Sequence, residues 1–242
     1  MRHASLNVGT ATNGIPHAAG VPERLRADGA GALMPIGTIT HRAAKDSIFW
    51  EGDPADHVYQ VMRGTVCLYK LLPDGRRHVA RFCHAGDLIG LTVDDAYPYT
   101  ADALTPLRLI RIRRADLDAA METDRTLRGL VLGALGEELA VAQDQLLLLG
   151  RKSASERVAS FLLATRAQSL REGGDGRRLA LPMTRVDIAD FLGLTHETVC
   201  RILGSLKSQG IVSVPDPHHV VIRAPEALEE IACGDAQERL CA

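Results

Sequence analysis

Four side chains near the C-terminus have the types and the spacing needed to read the edges of nucleic-acid bases. In the stretch HETVCR, Glu197 and Arg201 stand four residues apart, as do His196 and Cys200. Residues at this spacing share one face of a helix. A guanidinium can donate two parallel hydrogen bonds to O6 and N7 of guanine, and a carboxylate can accept one from N4 of cytosine. A solvated helix face carrying an ion pair would show the same spacing. The flanking elements must therefore distinguish this alternative from a face that contacts bases.

Capping signals around this stretch predict two short helices. Thr184 with Asp187 three residues later forms a near capping box, and Thr195 is a good N-cap for a second helix. Gly193 permits a sharp turn between the helices, and Gly210 ends the second one. Two short helices joined by a glycine-containing turn form a helix-turn-helix, whose second helix places its first residues in the major groove.

Apolar residues in both helices predict their buried faces. They are Val186, Ile188, Ala189, Phe191 and Leu192 in the first helix and Ile202, Leu203 and Leu206 in the second. The runs Ile211–Val214 and Val220–Arg223 predict two strands around the turn Pro215-Asp216-Pro217, which would add a wing. Polar and cationic residues around the motif are candidates for phosphate contacts, which position a protein without specifying sequence. These candidates are Thr184, Arg185, Thr195, Thr198 and Lys207.

A leucine-rich stretch over Asp124–Arg151 predicts a long helix with two apolar faces. One face is an a/d heptad seam made of Leu132, Leu135, Leu139, Ala142, Leu146 and Leu149. The other is made of Val131, Ala134, Val141 and Leu148. The helix must bury both faces, either wholly within one subunit or with the seam against a second copy. A homodimer would suit a palindromic DNA site, because two-fold symmetry is then shared by protein and DNA.

Turn signals interrupt the stretch Ile36–Ile112 at short intervals. They include Gly52-Asp53-Pro54, Pro73-Asp74-Gly75 and Gly86-Asp87. Short strand-like runs lie between such turns, a pattern typical of a β-sandwich or barrel. The runs are Ser47–Trp50, Val58–Met62, Val66–Leu71, His78–Cys83 and Leu107–Arg111.

Composition narrows the class of protein. The 242 residues carry a net charge of −2, so cationic charge for nucleic acid must be local, as it is around the helix-turn-helix. No apolar run reaches membrane-spanning length, and the five scattered cysteines show no zinc spacing, which fits the reducing cytoplasm. No nucleophile elbow, P-loop, GxGxxG or catalytic carboxylate pair is present, so we predict neither an enzyme nor a metal or cofactor site.

Three stretches resemble the CRP/FNR family of bacterial transcription factors. HETVCR is similar to the family's recognition helix, whose pattern is E-x-x-[S or G]-R; Glu197 and Arg201 match it, and Cys200 replaces the small residue. The run beginning EGDPADHVYQVMRG resembles the family's cyclic-nucleotide-binding β-roll, and GRKSASERVASFLL resembles its linker and following helix. No cysteine precedes Cys67, which argues against the iron–sulfur cluster of FNR and for the FixK-like branch.

The resemblance covers about residues 36–223 and implies an α+β fold. The expected parts are a flexible extension (1–33), a β-roll (34–123), a dimerisation helix (124–151) and a winged helix-turn-helix domain (152–242). It also implies an activator that works with RNA polymerase on palindromes of the form TTGAT-N4-ATCAA, in genes for low-oxygen respiration or nitrogen fixation. His196 replaces the usual apolar residue, which bears on preference at the outer base pairs.

The β-roll lacks the family's usual means of holding cyclic AMP. Leu91-Thr92-Val93 follows Gly90 where family members that bind the nucleotide have a glutamate, and Tyr99-Thr100 replaces their Arg-Ser pair. Losing the cation forfeits a charge-assisted contact worth about 1.5–3 kcal/mol, so we expect no cyclic AMP binding. The alternative within this class is an effector-gated regulator whose β-roll binds haem, nitric oxide or a metabolite.

Cys200 has two interpretations. It can be a plain replacement of serine, or a redox-sensitive thiol whose oxidation to a sulfinate would repel DNA phosphates. Phosphates nearby would raise the pKa of a thiol, whereas a helix N-terminus would lower it.

Overall fold

Antiparallel strands between residues 37 and 113 form a β-roll of two four-stranded sheets in the computed structural model, which describes residues 29–234. The strands are β1 Gly37–Arg42, β2 Ser47–Phe49, β3 His57–Arg63, β4 Val66–Leu71, β5 Arg77–Cys83, β6 Leu88–Ile89, β7 Thr100–Ala103 and β8 Leu107–Arg113. One sheet has the order β1-β8-β3-β6 and the other β2-β7-β4-β5. Apolar side chains from both sheets, Val61, Val66, Ala101 and Leu109 among them, pack into one fully buried core.

All five predicted strand runs are present, and three further strands were not predicted. β6 has only two residues, and β7 is the four-residue run TADA, whose only apolar residues are alanines, which are weak strand formers. β1 is mostly exposed or half-buried, so its residues carry no strong apolar signal. These strands exist because a neighbouring strand satisfies their backbone groups, for example Gly37–Arg42 along Leu107–Ile112.

The remaining elements are helical, apart from one small sheet. The helices are α1 Gly29–Leu33, α2 Arg114–Thr123, α3 Arg125–Arg151, α4 Ala154–Arg171, α5 Arg185–Leu192, α6 His196–Ser208 and α7 Pro225–Cys233, with a 3-10 turn over Met34–Ile36. The strands β9 Arg178–Ala180, β10 Val212–Asp216 and β11 His219–Ile222 form a sheet in the order β10-β11-β9. A β-roll, a long helix and a winged helix-turn-helix make up the α+β arrangement that the sequence predicts.

The long helix α3 starts at a side-chain cap and packs one face on the β-roll. Asp124 accepts hydrogen bonds from the backbone N–H groups of Thr126 (2.8 Å) and Leu127 (3.1 Å). Val131 and Ala134 are buried in a cluster that joins α3 to the sheet containing β8. Toward the other end, Leu148 is buried in the core of the C-terminal domain. The second apolar face of α3 therefore holds together the two halves of the chain.

Two boundaries differ from the sequence predictions. The extension was expected to run to Leu33, but Gly29–Leu33 is helical, and Leu33 is 3% exposed because it packs beside Val58, Ile110 and α3. Residues 1–28 lie outside the described part of the chain, as does the tail 235–242. The wing strand β10 continues through Pro215 and Asp216, because Asp216 still pairs with His219, so the turn lies at Pro217-His218.

Candidate nucleic-acid interface

The first helix of the motif, α5, begins with the reciprocal cap that its sequence predicts. The Thr184 hydroxyl accepts from the Asp187 backbone N–H (3.1 Å), and the Asp187 carboxylate accepts from the Thr184 N–H (2.7 Å). Ile188, Ala189 and Leu192 are buried. Val186 is 51% exposed, so its assignment to the apolar face is wrong. In an eight-residue helix the three buried positions suffice to anchor it, and Val186 falls on the opposite side.

The turn between α5 and α6 is held by two side chains that sequence reasoning missed. Gly193 ends α5 in the left-handed conformation (φ 61°), which favours glycine. Gln145 of α3 donates to the Phe191 carbonyl (2.7 Å), and Arg157 of α4 donates to the Leu192 carbonyl (3.0 Å). These bonds satisfy carbonyls that the helix end leaves open. No local pattern marks either donor, since each acts on a turn more than 30 residues away.

The second helix, α6, buries one face and exposes the predicted reading face. Val199, Ile202, Leu203 and Leu206 are buried, and Thr195 caps the helix through the Thr198 backbone N–H (3.2 Å). The four candidate base-contact residues are all exposed, and they are His196, Glu197, Cys200 and Arg201. The face that the sequence predicts to enter a DNA groove is therefore accessible to solvent.

Glu197 and Arg201 do not neutralise each other. No ion pair joins them in the described part of the chain, although they lie one turn apart, and the Glu197 side chain is 84% exposed. Hydrogen bonds from its own backbone N–H and from the Thr195 side chain lower the pKa of Glu197. An ionised acceptor and a cationic donor thus stand side by side for an external partner, which counts against the interpretation of this face as a solvated ion pair.

His196 and Cys200 form a second pair on this face. The Cys200 Sγ lies 3.5 Å from the His196 Nε2, and both side chains are exposed. The His196 Nδ1 is 4.0 Å from a Glu197 carboxylate oxygen. An oxidant in solvent can therefore reach the Cys200 thiol, which lies beside the His196 imidazole.

The candidate phosphate contacts lie around the motif in different environments. Lys207 is exposed in the last turn of α6, and the hydroxyls of Thr184, Thr195 and Thr198 are engaged in local capping bonds. Arg185 is half-buried, burial lowers the pKa of its guanidinium, and its Nη1 has no hydrogen-bond partner among residues 29–234.

One arginine of the β-roll ties that domain to the helix-turn-helix. On β5, Arg77 bonds the Asp187 carboxylate through Nη2 and the Asp190 carboxylate through Nε (2.8 Å), and its guanidinium lies 5.2 Å from the centre of the Tyr69 ring. Burial disfavours ionised Asp187, but hydrogen bonds from Thr184 and Arg77 outweigh it and lower its pKa. The cap that starts α5 is thereby also the anchor of α5 on the β-roll.

We expect Arg77→Gln to destabilise the chain by about 1–3 kcal/mol, because it leaves the nearly buried Asp187 carboxylate without its counter-ion. Because the pKa of Asp187 is lowered in the folded state, its contribution is complete above the ordinary value of 3.8 and is lost as the pH falls below it. Urea unfolding at pH 7 measures the difference. Arg76→Gln is the control, since Arg76 pairs only with exposed Asp74 and its loss should cost little.

The predicted heptad seam is the exposed apolar stripe of α3. Leu132 and Leu139 are each 61% exposed and Leu146 is 72% exposed, with Leu135 at 41%. Ala142 is exposed and Leu149 is half-buried. A single subunit therefore leaves this stripe uncovered.

Between residues 29 and 234, no three His, Cys, Asp or Glu side chains are arranged to hold a metal ion. Within the same range, no helix is both long and apolar enough to cross a membrane.

Comparison with known proteins identifies the family. Residues 156–231 match the family model of the Crp-like helix-turn-helix domain, and residues 40–124 match that of the cyclic nucleotide-binding domain. The nitrogen fixation regulation protein FixK of Azorhizobium caulinodans is 39% identical over 203 residues, 84% of this chain and 82% of that protein. FixK of Rhizobium meliloti is 40% identical over 184 residues, 76% of this chain and 82% of that protein.

A solved structure with a similar fold also belongs to a FixK protein. FixK2 from Bradyrhizobium japonicum has a TM-score of 0.75 at 38% identity, covering 81% of this chain and 97% of that one. Both sequence relatives of this chain are named as regulation proteins of nitrogen fixation. The exposed face of α6 thus lies within a Crp-like helix-turn-helix domain. The chain belongs to the CRP/FNR family of DNA-binding transcription regulators, among relatives of FixK.

Proposed function

We propose that the protein binds a palindrome of the form TTGAT-N4-ATCAA as a homodimer and activates transcription from it. The observation that supports base reading most directly is the pair Glu197 and Arg201, exposed, unpaired with each other and one turn apart at the start of α6. In this proposal Arg201 donates to guanine and Glu197 accepts from cytosine, with His196 and Cys200 at the neighbouring bases. Thr184, Arg185, Thr195, Thr198 and Lys207 contact phosphates.

The exposed seam of α3 supports the dimer. Leucines that are 41–72% exposed along one stripe cost free energy in water, and a second copy can cover them with the same stripe. Two-fold pairing would set the two α6 helices about one DNA turn apart, roughly 34 Å, as a palindrome with adjacent half-sites requires.

The names of relatives support the regulatory output. FixK proteins are named as regulators of nitrogen fixation, and AadR of Rhodopseudomonas palustris, 41% identical over 71% of this chain, is named a transcriptional activatory protein. We propose activation through RNA polymerase in genes for nitrogen fixation or low-oxygen respiration.

Binding of the purified full chain to labelled DNA tests the proposal. We expect the palindrome to bind at least about 1000-fold more tightly than a duplex with both half-sites scrambled. The experiment is run with and without air and with no added effector. Equal affinity for the two duplexes would refute the proposed site, and binding only after an effector is added would favour the effector-gated alternative.

Cyclic AMP should not bind the β-roll. Tyr97 lies 4% exposed in the segment that follows Gly86-Asp87, and its ring stacks on Phe49 with centroids 3.9 Å apart. Thr100, in place of the family's serine, is buried, and its hydroxyl accepts from the Glu51 backbone N–H (3.0 Å). Isothermal titration calorimetry should show no saturable heat, and micromolar affinity would contradict the prediction.

Cys200 offers a test of redox control. A thiolate attacking hydrogen peroxide forms a sulfenic acid and releases hydroxide, and a second equivalent of peroxide gives the sulfinate. We expect mild peroxide to weaken DNA binding of the wild type and not of Cys200→Ser. Cys233→Ser, which removes another exposed cysteine, should stay sensitive. Matching losses in the wild type and Cys200→Ser would leave Cys200 as a plain replacement of serine.

A further inference from the structure

A cavity of about 150 Å³ lies where the β-roll, the long helix α3 and the DNA-binding domain meet. Its walls come from β5, from α3, from α4 and from α5. None of the residues proposed to contact DNA lines it. The cavity is thus separate from the reading face, although Phe191 in its wall belongs to the helix-turn-helix.

Three phenylalanines form one side of the cavity. Phe82 of β5, Phe161 of α4 and Phe191 of α5 have ring centroids 5.2–6.4 Å apart in tilted and edge-on arrangements. Such geometry is favourable for aromatic pairs, and a further ring can join it. An enclosed apolar cavity of about this volume holds a single benzene ring, which sets the size of ring that the phenylalanine side of this cavity can accept. Leu148 and Met183 add apolar surface.

The charged side chains of the wall balance each other. Arg81 pairs with Asp87 (3.3 Å), and Arg171 and Asp144 add one further charge of each sign. Burial lowers the pKa of His84, so its imidazole is neutral at pH 7. This balance favours a neutral ligand, because an anion or a cation would lose its hydration and find no spare charge of opposite sign in the wall.

One acceptor in the wall has no donor. The Asp144 Oδ2 is buried, and it has no hydrogen-bond partner among residues 29–234. A buried, unpaired carboxylate oxygen costs free energy, so a donor from outside would be favoured there. A hydroxyl or amino group on a bound ring would supply it.

We propose that this cavity binds a small neutral molecule with one aromatic ring and one hydrogen-bond donor, the ring against the phenylalanines and the donor on Asp144. Because its walls belong to both domains, such a ligand would stabilise the arrangement of the helix-turn-helix on the β-roll. Binding can be measured without DNA, so its outcome does not depend on DNA recognition.

Phenol is the probe for the full-length protein, with toluene and benzoate as matched compounds. We expect phenol to bind with a Kd of about 1 mM or tighter, which seven non-hydrogen atoms can supply. Toluene lacks the donor and should bind at least about 10-fold more weakly, and benzoate, an anion, weaker still. At ten times its Kd, phenol should shift the unfolding equilibrium about 11-fold toward the folded state.

Methyl resonances of methionine locate the binding site. Met183 lines the cavity, whereas Met121 of α2 does not. We expect phenol to shift the Met183 methyl resonance saturably and to leave Met121 unchanged. No saturable binding, or shifts confined to other methionines, would overturn the proposal and leave a cavity that holds only water.

Two substitutions in the wall test the proposal, one by removing the hydrogen-bond acceptor and one by filling the cavity. Asp144→Leu removes the acceptor at similar side-chain size and should abolish the preference for phenol over toluene, and Ala164→Leu should fill the cavity and abolish the Met183 shift. Asp118→Leu, on the exposed face of α2, is the control and should bind phenol like the wild type. Should Ala164→Leu fail to fold, Asp144→Leu still tests the contact, because an undiminished preference for phenol in that variant would refute hydrogen bonding to Asp144.

Discussion

Arg201→Ala should weaken binding to the palindrome by about 1–3 kcal/mol for each half-site, because each guanidinium loses two hydrogen bonds to one guanine. A homodimer carries the change twice, so the total loss is about 2–6 kcal/mol, or roughly 30-fold to 20,000-fold. The side chain is exposed and has no ion pair with Glu197, so its removal should leave folding intact. Fluorescence anisotropy with labelled palindrome at fixed salt measures the loss.

The ratio of affinities for the original palindrome and for one with its half-site guanine replaced tests base reading more directly than the loss of affinity alone. Wild type should lose affinity when the half-site guanine is replaced, and Arg201→Ala should bind the original and the replaced palindromes nearly alike. Lys207→Ala is the matched control: a phosphate contact should weaken all sequences alike and flatten the salt dependence by about one counter-ion per subunit. Equal loss on specific and random DNA for Arg201→Ala would contradict base reading by this residue.

Leu139→Glu should separate the proposed homodimer. Its side chain is 61% exposed in the subunit and lies on the seam, so the substitution removes an apolar contact and places two carboxylates against each other. Burying a leucine is worth about 1.5–3 kcal/mol, and a symmetric dimer loses two, so dimerisation should weaken by more than about 100-fold. Sedimentation velocity over a concentration series measures it, and affinity for the palindrome should fall in parallel.

Leu147→Glu is the control for the seam. Leu147 is 63% exposed on the same helix, about a third of a turn from the centre of the stripe. The same substitution there should leave dimerisation nearly unchanged. If both variants stay dimeric at all concentrations, the seam does not hold two subunits together and the proposed pairing is wrong.

Much of the helix-turn-helix can be predicted from the sequence, because the contacts that start and end its helices join residues close together in the chain. The caps at Thr184 and Thr195 each join residues three apart in one helix turn, and both are present. The left-handed turn at Gly193 and the buried stripe of α6 also follow from spacing alone. The same holds for the seam, whose period of 3.5 residues is a property of one helix.

Tertiary structure alone decided how these parts are placed. Arg77 and Asp190 are 113 residues apart in the chain, and Gln145 and Arg157 reach their turn from two other helices. A local pattern reports which face of an element is apolar, whereas the partner of that face depends on where distant elements meet. The sequence by itself therefore predicted the exposed face of α6 and the apolar stripe of α3, and only the fold set the domain contact and formed the cavity.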